Sequence, residues 1–152
     1  MDLLNLEQDQ IIIIEKEKYK ILNKVKFIEK SSYWIEYKLQ NIEDNELYYL
    51  NVELSSKAIL YKILKCNQIQ LKINITFEDE EYELYEKGTG KVETYFGMTD
   101  VGLNEEVSYY EYKSKIDNKK TLSIEKWKDE VEVSLGKEIS LNNIKILNKF
   151  EI

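Results

Sequence analysis

The eight residues Ser32-Tyr33-Trp34-Ile35-Glu36-Tyr37-Lys38-Leu39 constrain this chain more than any other stretch. Their period-two alternation sets Tyr33, Ile35, Tyr37 and Leu39 on one face of a β-strand. Trp34, Glu36 and Lys38 fall on the other. Such a strand needs hydrogen-bonded neighbours along its edges and apolar cover over one face, so it implies a sheet. A reduced copy, Tyr109-Tyr110-Glu111-Tyr112-Lys113, recurs later in the chain.

The rest of the sequence supplies the neighbours. Ile11 to Ile14 is a short buried-strand run ahead of Glu15-Lys16-Glu17. Tyr19, Ile21, Val25 and Phe27 alternate, and a polar turn over 41–45 leads into Leu47 to Leu54, the hairpin partner of the Tyr33–Leu39 strand. Ala58 to Leu64 follows. Ile69, Leu71, Ile73, Ile75 and Phe77 alternate strictly and predict one long strand. Beyond a charged turn at Glu78 to Glu81, Tyr82 to Tyr85 reads as a strand. Lys87-Gly88-Thr89-Gly90 reads as a tight turn, with glycine supplying positive φ. Val92, Thr94 and Phe96 alternate again, followed by strands at Val107 to Lys113, Leu122 to Glu125 and Val131 to Leu135, the last ending at Gly136. Tyrosine is abundant, proline absent and glycine scarce, a bias toward strands.

Several segments match in order between the two halves. Tyr19-x-Ile21 matches Tyr82-x-Leu84, Glu36-Tyr37-Lys38 matches Glu111-Tyr112-Lys113, and Leu50-Asn51-Val52-Glu53 matches Leu122-Ser123-Ile124-Glu125. The expectation is an all-β protein built by internal duplication. Two similar small antiparallel units, barrel- or sandwich-like and spanning about 11–66 and 67–152, pack together into one compact domain over 1–152. Tyr37 and Tyr112 become equivalent buried residues in that scheme.

What the chain lacks narrows its chemistry. With no histidine, the usual general base and the commonest neutral metal ligand are missing. With no arginine, bidentate forks for phosphate or carboxylate are missing too. Cys66 is the single cysteine, so neither an internal disulfide nor a Cys–His nucleophile can form, and a buried small apolar role is its expectation. The net charge of −7 resides wholly in residues 76–152, since residues 1–75 carry equal numbers of acidic and lysine residues. That balance opposes nucleic acid, whose binding needs phosphate neutralisation, and an anionic membrane surface. Met1-Asp2-Leu3-Leu4 shows no basic leader and no long apolar run, so a soluble cytoplasmic protein is expected.

Four residues stand out as a candidate site. Trp34 with Glu36, and Tyr109 with Glu111, each set an aromatic ring beside a carboxylate on one strand face. A carboxylate pair across a groove suits acid/base chemistry on a glycoside. The competing role is structural, each glutamate accepting a backbone amide or pairing with a cross-strand lysine to pin the register. Glu53 and Glu125 end the returning strands and add a possible divalent-cation site, although Glu78-Asp79-Glu80-Glu81 lacks the ligand spacing of a calcium loop. Gly88-Thr89-Gly90 is too short for a phosphate loop. No cofactor and no metal are expected. The leading function is a non-enzymatic module binding another protein in the bacterial cytoplasm. The alternatives are a carboxylate-dependent enzyme using Glu36 and Glu111, and a structural component of a homo-oligomer.

Trp34-x-Glu36-Tyr37-x-Leu39 followed by Tyr49-Leu50-Asn51-Val52-Glu53 resembles the signature of the bacterial domain-of-unknown-function family 4178. Tyr82-x-Leu84, Gly88, Gly97, Tyr110-x-Tyr112, Leu122-Ser123-Ile124-Glu125 and Gly136 extend the resemblance from about Leu6 to Leu147. It implies a bacterial intracellular protein linked to membrane-stress systems, and it carries over no catalytic residues.

Overall fold

The structure, a computed structural model, describes residues 2–53, 57–64, 69–128 and 130–147. Cys66 lies outside them. Eleven strands form one antiparallel sheet: β1 (Ile11–Ile14), β2 (Glu17–Glu29), β3 (Ser32–Asn41), β4 (Leu47–Glu53), β5 (Lys57–Leu64), β6 (Asn74–Phe77), β7 (Glu80–Phe96), β8 (Glu106–Ser114), β9 (Lys120–Lys126), β10 (Val131–Ile139) and β11 (Ile144–Ile146). Among the described residues no helix is long and apolar enough to cross a membrane.

Eight of the strands close on themselves. Two meanders, β2-β3-β4-β5 and β7-β8-β9-β10, meet edge to edge at β5–β10, where Tyr61 lies opposite Gly136, and at β2–β7, where Val25 lies opposite Tyr95. The all-β expectation therefore takes the form of a closed eight-stranded antiparallel barrel with additional strands. The two halves share this single barrel wall rather than stacking as two units. Closure removes the unpaired edges that two small open sheets would expose.

β2 and β7 are the longest strands because each serves two successive partners along one of its edges. The first residues of β2 pair with β1 and those of β7 with β6, while their later residues pair with each other. Both short hairpins turn through two residues of positive φ, Glu15-Lys16 and Glu78-Asp79, the geometry that matches strand twist. Their corners share further details. Tyr19 donates to Glu17 and Tyr82 to Glu80, each at 3.1 Å. Asn41 Oδ1 accepts the amides of Glu43 and Asp44, and Ser114 Oγ accepts those of Ile116 and Asp117.

Alternation decides what each wall faces, and the apolar face points out. Ile35, Tyr37, Leu39, Leu50 and Val52 form an outer core with Leu3, Leu6, Ile12 and Ile14. Tyr82, Tyr112, Leu122, Ile124 and Val133 form a second outer core with Ile75, covered by Ile69 and Leu71. Each fully buried Leu, Ile or Val contributes about 1.5–3 kcal/mol, so the N-terminal coil and the 69–77 segment are held as lids over the barrel wall. The polar face points inward.

Two sequence expectations are corrected here. The alternation from Ile69 to Phe77 is not one strand, since only Asn74–Phe77 pairs. Ile69 and Leu71 alternate because they cover the outer core, while the Lys72 and Ile73 carbonyls accept Tyr112 Oη and the Leu84 amide. Likewise Lys87-Gly88-Thr89-Gly90 is not a turn. It lies inside the 17-residue β7, without positive φ at either glycine. A Cβ at Gly90 would lie 2.3 Å from the Trp34 ring, and one at Gly88 2.5 Å from Tyr109 Oη. Glycine is required there by the close approach of aromatic rings.

Register also differs from the expected match. Tyr19 lies opposite Asn41, and Tyr82 opposite Ser114. Counting back from these matched corners aligns Tyr110 with Tyr37, Tyr112 with Leu39, and Tyr109 with Glu36. Tyr37 and Tyr112 are both buried, and their hydroxyls donate at 2.8 Å to the Leu3 and Lys72 carbonyls, but from positions two residues apart. A two-residue slip preserves the face and is therefore invisible to alternation.

Candidate functional site in the barrel lumen

Most of the inward face is polar or aromatic, with an apolar patch of Val25, Phe27, Val92 and Val107 packed against Trp34 and Trp127. β3 contributes Trp34, Glu36 and Lys38. β4 contributes Tyr49, Asn51 and Glu53, and β5 contributes Tyr61. β8 contributes Tyr109 and Glu111, β9 Ser123 and Glu125, and β10 Glu132 and Ser134. Two bulges make this possible. At Leu22 and at Tyr85 the pairing register shifts by one residue. Tyr19 and Ile21 thus pack outside, whereas Asn23, Val25 and Phe27 line the lumen, although all five alternate without a break in the sequence.

A wide chamber of about 920 Å³ occupies one end. Among the described residues its lining carries six carboxyl groups, Glu36, Asp100, Glu105, Glu125, Glu130 and Glu132, and one cation, Lys38. Tyr95, Met98 and Val131 of this lining are exposed, Met98 at 91%. The opposite end holds a narrow chamber of about 230 Å³ with Trp34, Tyr61, Tyr85, Tyr109 and the carboxyls of Glu53 and Glu111 in its walls. Glu36, Asn51, Tyr61 and Glu125 form the constriction between the two.

All four residues singled out in the sequence enter the lumen. Trp34, Tyr109 and Glu111 line the narrow chamber, and Glu36 lines the wide one and the constriction. The partners expected for a register-pinning glutamate, a backbone amide or a cross-strand lysine, are not found among the described residues. Glu111 instead accepts from Ser123 Oγ, directly opposite on β9, at 2.8 Å and from Tyr61 Oη at 3.1 Å. Glu36 makes no hydrogen bond or ion pair among the described residues. Burial, and after it Glu132 and Glu111, holds the Glu36 carboxyl well above its ordinary range. Glu111 is pushed up to about 7 by burial, against the hydrogen bonds from Ser123 and Tyr61. Glu125 is raised by burial and then by Glu36, Glu132 and Glu111. Burial also raises Glu132 and Glu53. Depressed carboxyl pKa values need cations or amide donors, and this lumen supplies few.

Glu53 and Glu125, weighed as a possible divalent-cation site, belong to no such cluster: among the described residues no group of three or more acidic or cysteine side chains converges enough to hold a metal ion. Tyr49, Tyr61, Tyr85 and Glu132 were not singled out from the sequence. Their signal was available in the inward alternation Tyr49-x-Asn51-x-Glu53 and Glu132-x-Ser134, which reads like any strand until closure shows that this face is enclosed.

Comparison with protein-family models gives a match over residues 7–141 to one described as a domain of unknown function, DUF4178. No curated protein and no solved structure matches the chain.

Proposed function

Because this chain belongs to the DUF4178 family, whose description assigns no activity, we propose a function from the lumen alone: a non-catalytic module whose wide chamber takes a basic, partly apolar segment of another protein. The observation that carries this reading is the six carboxyls set against one lysine in a cavity of about 920 Å³. Such a lumen is an unfavourable place for its own charges and a favourable one for an incoming ammonium or guanidinium. The exposed Tyr95, Met98 and Val131 provide apolar contact at the opening.

Binding is favoured over catalysis by what the five carboxyls raised by burial have in common. Glycoside chemistry needs one protonated acid and one ionised partner, hence two environments that push pKa values apart. Here Glu36, Glu53, Glu111, Glu125 and Glu132 are all pushed upward. The matched hairpin corners support descent of the two meanders from one duplicated unit, with a two-residue slip in β8. A cytoplasmic setting fits a chain with a single cysteine and no internal disulfide.

The test is calorimetric titration with an end-blocked peptide alternating lysine and leucine, alongside its glutamate–leucine counterpart. The lysine peptide is expected to bind, with affinity falling as salt rises and weakening by a factor on the order of three to ten in Glu130→Gln and Glu132→Gln. Equal binding of the two peptides, or affinity unmoved by both substitutions, contradicts the proposal.

A further inference from the structure

The geometry of the narrow chamber points to a second site: we propose that it binds a small organic ammonium ion carrying N–H donors. Four aromatic rings, Trp34, Tyr61, Tyr85 and Tyr109, surround a space of about 230 Å³ that also receives the Glu53 and Glu111 carboxyls. Aromatic faces attract ammonium groups, most strongly where water is displaced. Three of the four rings are held before any ligand arrives. Tyr109 Oη donates to Glu29 at 2.8 Å, and Trp34 meets Tyr109 edge-on at 5.4 Å while stacking on Phe27 at 5.0 Å. Tyr61 is tied to Glu111. Gly88 and Gly90 leave the space that Tyr109 and Trp34 fill. Pre-organisation of this kind reduces the ordering cost of binding.

Two observations point to a cation with N–H groups. Asn51, in the chamber wall, has its Oδ1 shielded from solvent and without a hydrogen-bond partner among the described residues, so an N–H donor reaching it gains a bond. Tyr85 already attracts ammonium groups from the chain itself, with Lys113 Nζ 4.6 Å and Lys57 Nζ 5.7 Å from its ring centroid. Both lysines also act on the Glu53 carboxyl in the chamber wall. A quaternary ammonium satisfies the rings but not Asn51 or Glu111. An alkali-metal ion satisfies neither the rings nor a coordination shell, since no metal-holding cluster exists among the described residues.

The two tryptophans separate the chambers, because Trp34 lines the narrow one and Trp127 the wide one. Trp127→Phe leaves Trp34 as the reporter. Its emission is followed during titration with n-propylammonium chloride, tetramethylammonium chloride and sodium chloride at constant ionic strength. The expected result is a saturable change with propylammonium, weaker affinity for tetramethylammonium by about tenfold, and no change with sodium. Added to that background, Tyr85→Leu and Asn51→Ser should each weaken propylammonium binding by about tenfold, with thermal melts confirming that each variant is folded. Absence of saturation, equal responses to all three salts, or unchanged affinity in both variants overturns the site. If one variant fails to fold, the other decides by the same criterion. Failure here leaves the wide-chamber peptide titration unaffected, and failure there leaves this one unaffected.

Discussion

Replacing Glu111 by glutamine should change the pH dependence of stability more than stability itself. The carboxyl sits among Glu86 on β7, Glu53 on β4, Glu36 on β3 and Glu125 on β9, with Lys113 on β8 as a nearby cation. Burial carries it from an ordinary 4.5 to about 7. A carboxyl whose folded pKa exceeds its unfolded one is protonated preferentially in the fold. Its effect is absent below the unfolded value, and stability is lost as pH rises from there through about 7. At about 1.4 kcal/mol per tenfold difference in proton affinity, the ceiling is about 3 kcal/mol. A lumen open at its ends reduces this to about 1–2 kcal/mol. Glutamine cannot ionise, but it offers one acceptor oxygen to the two hydroxyls of Ser123 and Tyr61, a pH-independent loss of about 1 kcal/mol. Glu111→Gln should therefore be less stable than wild type at pH 5, and should equal or exceed it at pH 8. The variant should melt about 2–4 °C lower than wild type at pH 5, and that difference should vanish or reverse at pH 8. Calorimetric melts of both proteins across this pH range provide the assay. Parallel curves, or a wild type that gains stability as pH rises, would refute the reasoning.

Other substitutions probe the wall and its cover. Gly90→Ala places a methyl group 2.3 Å from the Trp34 ring; a loss of about 1–3 kcal/mol is expected, with a shift in tryptophan emission, and an unperturbed melt would mean the ring is not seated there. Tyr37→Phe removes the hydroxyl that donates to the Leu3 carbonyl and accepts the Leu6 amide. It should cost about 1–3 kcal/mol and speed hydrogen exchange at Leu6 while sparing β8 and β9. Leu50→Ala, at a fully buried outer-core position, should cost about 2–5 kcal/mol; a smaller loss would indicate that the apolar core does not lie on this face. No DNA or RNA should be retained at physiological salt, given the net charge of −7 and the absence of arginine.

Side-chain alternation exposed the strands and their two faces, because period two is a local property of the chain. It paired Trp34 with Glu36 and Tyr109 with Glu111 correctly on one face. It left open which face was enclosed, since closure depends on β2 meeting β7 across a separation that no local pattern records. Leu22 and Tyr85 were equally unreadable as bulges: one extra residue turns a strand over while apolar residues still fall at every second position. The glycines of β7 suggested a turn because a sequence does not show that Trp34 and Tyr109 approach from the opposite wall. The glutamates suggested surface pairing because an acid facing water and an acid facing a lumen have the same alternation.

The most direct test of the lumen as an acid-lined receptor for cations is a carbon-13 titration of its labelled glutamate side chains, with and without the lysine–leucine peptide. Without peptide, Glu36, Glu111, Glu125 and Glu132 should titrate above the ordinary carboxyl range, Glu111 near about 7. With peptide present, the midpoints of Glu36, Glu125 and Glu132 should fall as an incoming cation favours the ionised forms. Midpoints within the ordinary range of surface carboxyls, or midpoints that do not move when the peptide is added, would contradict the account.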